Sequence, residues 1–160
     1  GYAVYGLDLD ADRIALARTH GFVRDAFHPI ADRERLDGVM RQHIPLGQVD
    51  TVFLSVVNAK TIELALELVR DGGNLVVFTS APAGTGVDPS RLYFREINLI
   101  TSYSPSLSDL KDAAQIIFNR KINVTPLVSH NMPLSEIGQA FELYRAGQAI
   151  KIFITMEETP

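Results

Sequence analysis

A group of acidic residues follows the first apolar segment of the chain and is the first place where chemistry could occur. The segment Ala3–Leu7 has the composition of a short strand, and Asp8, Asp10 and Asp12 come directly after it. An acidic residue at the end of a strand that leads into a helix is suited to binding the hydroxyl groups of a ribose, and Arg13 lies close enough to reach the same place. The sequence therefore predicts a dinucleotide site at Asp8 and Arg13.

The charge of the Asp8 carboxylate bears on which dinucleotide would bind. A carboxylate repels a phosphate group on the 2′ oxygen of the ribose, so Asp8 favours NAD over NADP. A second interpretation stays open, because Asp8, Asp10 and Asp12 are also typical of residues that stabilise the amino end of a helix without binding a ligand. The glycine-rich turn that precedes such a carboxylate by about 20 residues in dinucleotide folds is not in the sequence.

The composition argues against several other kinds of chemistry. The 160 residues include no cysteine, which excludes disulfides and cysteine-ligated metals, and the four histidines are too scattered to pair as zinc ligands on one helix. A net charge of −4 gives no electrostatic reason to bind nucleic acid or an anionic membrane. Because no apolar run approaches the roughly 20 residues that span a bilayer and no signal peptide is recognisable, we expect a cytoplasmic protein without a membrane partner.

Strands and helices are predicted to alternate along the chain. Helices are expected within residues 10–21, 36–44, 62–70, 108–117 and 137–147, where apolar residues recur at helical spacing. Asp71-Gly72-Gly73 is expected to end the third of these helices, and Ser108 is expected to cap the fourth. Strands are expected at Ala3–Leu7, Val52–Val57, Leu75–Phe78, Ile97–Ser102 and Ile150–Met156. The apolar runs of the second and third strands indicate burial on both faces. This alternation predicts an α/β fold of the Rossmann-like, doubly wound class with a mostly parallel sheet.

Blocks of sequence that occur in order along the chain resemble the zinc-dependent branch of the medium-chain dehydrogenase/reductase family, which includes alcohol, sorbitol and threonine dehydrogenases. The blocks are Gly6–Arg13 with Ala17–Gly21, Val49–Phe53, Thr61–Leu66, Asp71–Val77 and, as the most specific group, Pro133–Ile137, Ala140–Phe141 and Gly147–Ile152. The resemblance implies that residues 1–160 are a partial NAD-binding Rossmann domain, truncated so that its first strand and glycine-rich turn are absent.

The resemblance also implies which residues meet the adenosine half of the coenzyme. Asp8 and Arg13 would hold the adenosine ribose, and Val56 and Asn58 would flank the adenine ring. General burial preferences leave another interpretation open for Val56, which could belong to the core.

A second set of residues is expected beside the rest of the coenzyme. Phe78, Thr79 and Ser80 would pass the nicotinamide ring, and Ser102 would lie on the same side. Lys151 would face the pyrophosphate as a cation. Phe78 could instead belong to the core, and Lys151 could be a solvated charge at the edge of the sheet.

The activity implied by the resemblance is hydride transfer between NAD and a small alcohol or polyol. Zinc is expected only in an N-terminal catalytic domain that is absent from this chain, so the chain alone is expected to be inactive. One alternative is a zinc-free quinone or enoyl reductase of the same superfamily that uses NADPH, against which the charge of Asp8 argues. Another is a non-catalytic module for nucleotide sensing or oligomerisation.

The expected strand Ile97–Ser102 suggests how the chain would assemble. It contains no charged residue, although free edge strands usually carry one as protection against pairing with another chain. In the family that the chain resembles, this strand lies on a two-fold axis and joins the sheets of two subunits. We therefore expect a homodimer through Ile97–Ser102, with a tetramer of the full-length enzyme as a further option.

Overall fold

The computed structural model describes residues 2–156, except for the side chain of Pro45. Residues up to Ser104 form one compact unit, and residues from Pro105 onwards form a second. Within residues 2–156, no helix has both the length and the apolar character that crossing a membrane requires.

The first unit alternates strands with helices. In chain order its elements are β1 (Tyr5–Leu7), α1 (Ala11–Thr19), β2 (Asp25–Phe27), α2 (Arg33–His43), β3 (Val49–Leu54), α3 (Ala59–Leu68), β4 (Val69–Val77), α4 (Pro89–Phe94) and β5 (Asn98–Thr101). The first helix begins and ends where the sequence predicts, because Asp10 caps its amino end and Gly21, with a positive φ of 65°, follows its carboxyl end.

All strand pairs of the first unit are parallel. β1 pairs with β2, and β3, β4 and β5 form a three-stranded sheet in that order. A helix connects each strand to the next, which confirms the predicted α/β class with parallel strands. The strands nevertheless form two sheets instead of the single sheet that the sequence suggested, because no described residue bridges β1 to β3.

Two apolar clusters hold the first unit together. The larger packs α3 and α4 against one face of the three-stranded sheet, and its fully buried members include Ala65, Leu66, Val69 and Leu75. The smaller is centred on Phe27, Leu36 and Met40, and it is flanked by residues of β1 and β3. The β1–β2 pair and the three-stranded sheet are thus anchored on a shared core through α2.

The second unit is smaller and contains a two-stranded parallel sheet. Its elements are α5 (Leu107–Phe118), β6 (Val128–Pro133), α6 (Ile137–Arg145) and β7 (Lys151–Thr155). β6 pairs with β7, and the buried residues Met132 and Ala140 lie in β6 and α6. The cap of α5 is Ser106 instead of the expected Ser108, because the Ser106 hydroxyl accepts the Asp109 N–H while the Asp109 carboxylate accepts the Ser106 N–H.

Several boundaries differ from the sequence prediction. The sequence does not predict β2, α4 or β6, and the helix expected to be ended by Asp71-Gly72-Gly73 ends at Leu68, after which the chain enters β4 directly. β3 stops at Leu54, so the expected strand Val52–Val57 is displaced. The expectation that this strand is buried on both faces is also wrong, because Phe53 is 72% exposed. β5 and β7 are confirmed as strands but are shorter at both ends than predicted.

Candidate functional site

The carboxyl ends of β3, β4 and β5 lie at one edge of the sheet. Leu54, Val77 and Thr101 are aligned across the three strands. One residue further on, the Phe78 N–H donates to the Leu54 carbonyl oxygen over 2.9 Å, and the Ser102 N–H donates to the Val77 carbonyl oxygen over 3.2 Å. The loops after these strands therefore begin side by side at the edge where parallel sheets bind their ligands.

Two apolar side chains stand exposed at this edge. Val56 is 60% exposed and Phe78 is 65% exposed. The interpretation that they belong to the core is therefore wrong. Exposed apolar groups beside the carboxyl ends of strands are able to contact a flat, apolar ring.

Three hydroxyl groups accompany these apolar residues. Thr79 and Ser80 follow Phe78 in the loop after β4, Ser102 follows β5, and all three residues are exposed. No side-chain hydrogen bond engages these three hydroxyls within residues 2–156. They are thus free to donate to, or accept from, a polar group on a ligand.

Asp8 lies at the carboxyl end of β1 and is half-buried. Its N–H donates to the Phe27 carbonyl oxygen over 3.2 Å, which extends the pairing of β1 with β2 by one residue. Its Oδ1 atom accepts the Asp10 N–H over 2.9 Å, and Oδ2 has no hydrogen-bond partner in the part of the chain that the structure describes. One carboxylate oxygen thus shapes the turn, and the other remains for a ligand.

Arg13 is held near a neighbouring carboxylate. Asp10 caps α1 by accepting the N–H groups of Asp12 and Arg13 over 2.8 and 3.2 Å. The Arg13 Nε atom lies 3.9 Å from Asp10 Oδ2, and the side chain is exposed. The structure therefore pairs Arg13 with Asp10, and an approach of its guanidinium to a ribose beside Asp8 would need a change of rotamer.

Asn58 caps α3. Its Oδ1 atom accepts the Thr61 N–H over 3.0 Å, and its own N–H donates to Thr61 Oγ1 over 2.9 Å. This reciprocal arrangement fixes the side chain in place. The Nδ2 group has no partner among residues 2–156, so Asn58 can offer a donor to a ligand without giving up its role in the helix.

Lys151 belongs to the second unit. It is the first residue of β7, it is exposed, and it is aligned with Val128 of β6. Within the described residues its ammonium group forms no ion pair, which leaves both of its interpretations open.

A turn after β2 was missed by sequence reasoning. The His28 Nδ1 atom accepts the N–H groups of Ile30 and Ala31 over 3.2 and 3.0 Å. The His28 N–H donates to Asp32 Oδ2 over 2.9 Å, and the Asp32 N–H donates back to the His28 carbonyl oxygen over 3.0 Å. The only signal in the sequence is a His-Pro pair shortly before an aspartate that begins an amphipathic segment, which is too common to predict this turn.

A zinc site is not formed by the described residues. Among residues 2–156, no three His, Cys, Asp or Glu side chains come together in a way that could hold a metal ion. The sequence has no cysteine to supply a thiolate ligand. These residues therefore do not fit a zinc ion.

The chain resembles alcohol dehydrogenases in sequence. It is 28% identical over 158 residues to the class-3 alcohol dehydrogenase of Drosophila melanogaster, an alignment that covers 94% of this chain and 41% of that protein. The chain thus spans less than half the length of this relative.

Solved structures share the fold. An alcohol dehydrogenase from Thermotoga maritima superposes with a TM-score of 0.82 at 20% identity, over 96% of this chain and 43% of that one. An alcohol dehydrogenase from Escherichia coli CFT073, described as a short-chain enzyme complexed with NADH, gives a TM-score of 0.77 at 12% identity, over 95% of this chain and 44% of that one. Both are dehydrogenases, and the likeness confirms the Rossmann-like class.

The family model for zinc-binding dehydrogenases matches residues 1–119, which is most of the chain. The match confirms the family that the ordered sequence blocks predict. The chain belongs to the zinc-binding dehydrogenase family.

Proposed function

We propose that this chain is the coenzyme-binding part of an NAD-dependent dehydrogenase that acts on a small alcohol or polyol. The observation that carries the proposal is the Asp8 carboxylate, which stands at the carboxyl end of a parallel strand with Oδ2 unbonded within the described residues. A carboxylate in such a position accepts hydrogen bonds from ribose hydroxyls and repels a 2′-phosphate. The site therefore favours NAD over NADP.

The other residues near the carboxyl ends of β1 and β3 suit the adenosine half of NAD. Val56 would lie against the adenine ring and Asn58 would offer its Nδ2 group, while Arg13 would approach the ribose from α1. An exposed apolar residue beside a fixed polar one is typical of sites that bind a heterocycle. The similarly folded Escherichia coli enzyme in complex with NADH supports the choice of coenzyme.

The residues after β4 and β5 fit the nicotinamide end. Phe78 would cover one side of the nicotinamide ring and exclude water from it. The hydroxyl groups of Thr79, Ser80 and Ser102 would orient the carboxamide of the nicotinamide. When bound, the nicotinamide supplies the hydride acceptor for alcohol oxidation. Lys151 would neutralise charge on the pyrophosphate.

The rest of the enzyme is proposed to lie outside this chain. We place the zinc site and the glycine-rich turn in a preceding N-terminal part, and we expect residues 1–160 alone to be inactive. The full protein would act in the cytoplasm as a homodimer joined through β5. A zinc-free reductase that uses NADPH is disfavoured because Asp8 would repel the extra phosphate.

The test is the ratio of dissociation constants for NAD and NADP, measured by titration calorimetry on the full-length protein. Asp8→Ser should shift this ratio toward NADP by roughly 10-fold. The variant removes the carboxylate that accepts hydrogen bonds from the ribose hydroxyls of NAD and that repels the 2′-phosphate of NADP. Asp12→Ser is the matched control, because this exposed carboxylate in the first turn of α1 forms no side-chain hydrogen bond or ion pair within residues 2–156, and its loss should leave the ratio within about 2-fold. Equal ratios in all three proteins, or no binding of either coenzyme, would reject the proposed function.

A further inference from the structure

We propose that His28 is a positioning residue for the adenosine end of the coenzyme site, and that it makes coenzyme affinity depend on pH. The inference rests on the proposed function, because it concerns the turn beside Asp8. It starts from an unusual feature of that turn, in which one imidazole nitrogen closes the loop between β2 and α2.

The His28 side chain acts as asparagine or aspartate does in an Asx turn. Its Nδ1 atom accepts two main-chain N–H groups, those of Ile30 and Ala31. An Asx turn uses a side-chain oxygen at the same number of bonds from Cα. Unlike that oxygen, Nδ1 accepts hydrogen bonds only while it carries no proton. Protonation of the ring therefore removes the acceptor on which both N–H groups depend.

A continuous set of hydrogen bonds connects this turn to Asp8. The peptide group between Phe27 and His28 is held at both ends, because its N–H donates to Asp32 Oδ2 and its carbonyl oxygen accepts the Asp8 N–H. The Asp8 carboxylate in turn accepts the Asp10 N–H. Ile30 and Ala31 connect His28 to Asp32, so loss of their two contacts with Nδ1 loosens the segment that places Asp32 against the His28 N–H. The hold of Asp32 on the Phe27–His28 peptide, whose carbonyl oxygen accepts the Asp8 N–H, weakens as a consequence.

Charged groups occur on every element around the turn. They are Asp8 after β1, Arg18 on α1, and Asp32, Arg33, Glu34 and Arg35 at the start of α2. Asp32 is shared, because its Oδ2 atom accepts the His28 N–H and lies 3.7 Å from Arg18 Nη2. Among these residue types and histidine itself, histidine is the one whose charge ordinarily changes between about pH 5 and pH 8.

The test compares His28→Asn with His28→Ala in the full-length protein, with NAD as the probe. Asparagine keeps an acceptor at the position of Nδ1 and cannot be protonated, whereas alanine removes the acceptor at every pH. Between about pH 8 and pH 5.5 we expect NAD to bind the wild type roughly 5-fold more weakly, the scale of one or two lost neutral hydrogen bonds. His28→Asn should bind as the wild type does at about pH 8 and change by less than about 2-fold on acidification. His28→Ala should bind weakly at both values.

A second measurement does not depend on the coenzyme. In NMR spectra of the coenzyme-free protein, the chemical shifts of the Ile30 and Ala31 amide protons should change with pH together with those of the His28 ring protons. The changes at the two amide protons should be absent in His28→Asn. A flat binding profile in the wild type, an unchanged drop in His28→Asn, or amide protons that do not titrate would each overturn the inference.

The outcomes also separate this inference from the proposed function. If NAD binds and Asp8→Ser shifts the preference toward NADP, but His28→Asn keeps the wild-type pH dependence, only the role of His28 is overturned. If NAD does not bind the wild type at any pH, the proposed function is overturned and the role of His28 falls with it.

Discussion

Gly73 lies so close to the main chain of Asp50 that a Cβ atom on Gly73 would come within 2.9 Å of the Asp50 carbonyl oxygen. The same Cβ would lie 2.7 Å from Val69 Cγ2 and 2.8 Å from the Arg70 carbonyl oxygen. Two of these three neighbours are main-chain atoms, which cannot rotate away. At this position β4 can approach β3 only because glycine has no side chain.

We predict that Gly73→Ala lowers the free energy of unfolding by about 2 to 3 kcal/mol, the usual cost of forcing extra atoms into a packed region. Gly38→Ala is the control, because Gly38 lies within α2 and a Cβ there would meet no atom within 4 Å. Alanine should stabilise that helix by about 0.5 to 1 kcal/mol. Urea denaturation of the three proteins measures both effects, and a Gly73→Ala protein as stable as the wild type would contradict the prediction.

Gly73 also shows where sequence reasoning about the fold failed. The triplet Asp71-Gly72-Gly73 predicts the end of a helix, because glycine with a positive φ is common there. Gly72 does have a positive φ of 68°, but within β4, where the pairing with β3 is irregular. β2 was missed for a related reason, since three residues are too short for any periodicity and the complete burial of Phe27 arises from contacts distant in sequence.

The local features around Asp8 were easier to predict than the boundaries of the strands. Asp8, Asp10 and Gly21 carry local signals, namely an acidic residue after a strand, a helix cap and a helix end, and the structure has each of these features. The contacts of their side chains were not predictable. Whether Arg13 pairs with Asp10 or with Asp8 depends on rotamers, and the hydrogen bonds of His28 depend on the path of the loop after β2.

Asp25 forms the centre of an ion-pair network. It accepts the Arg18 Nε–H over 2.9 Å and pairs with Arg35, and its side chain is only 20% exposed. Burial raises the pKa of Asp25, but the hydrogen bonds from Ala26 and Arg18 and the charges of both arginines lower the pKa by more. The net pKa lies below the ordinary value, so the ionised form stabilises the folded protein.

We predict that Asp25→Asn lowers the free energy of unfolding by roughly 1 kcal/mol near neutral pH, the scale of a partly buried ion-pair network. Because the pKa is lowered on folding, this stabilisation is present above the unfolded value of about 3.9 and disappears as the pH falls further. The difference between wild type and variant should therefore shrink below about pH 4. Asp112→Asn, at an exposed position on α5, serves as the control and should have no effect. A difference that stays constant down to about pH 2.5 would contradict the pKa assignment.

Lys151 is proposed to act through its charge. Lys151→Met should weaken NAD binding to the full-length protein by about 1 to 2 kcal/mol, the scale of a partly exposed charge-assisted contact. Lys151→Arg should keep most of the affinity, and Lys121→Met should leave it unchanged, because Lys121 is an exposed lysine with no proposed contact to the coenzyme. If calorimetry finds the same dissociation constant for NAD in Lys151→Met and in the wild type, Lys151 is a solvated charge at the edge of the sheet and does not contact the coenzyme.

The proposed dimer depends on the outer edge of β5. All four residues of β5 are exposed, and within residues 2–156 the strand pairs only with β4. Main-chain groups alternate in direction along a strand. The Ser102 N–H points to β4, so the main-chain N–H and C=O groups of Ile100 and Asn98 also point to β4. The main-chain groups of Leu99 and Thr101 therefore point to the free edge.

This alternation makes Leu99 the position at which the dimer can be tested without damage to the sheet. Leu99→Pro removes an N–H group from the free edge and leaves the hydrogen bonds between β4 and β5 in place, so it should convert the dimer into a monomer. Leu99→Ala shortens the side chain, which is 44% exposed, but keeps the N–H group and should remain a dimer. Sedimentation velocity distinguishes these states directly. A Leu99→Pro protein that stays dimeric, or a wild type that sediments as a monomer, would show that the β5 edge does not join two subunits.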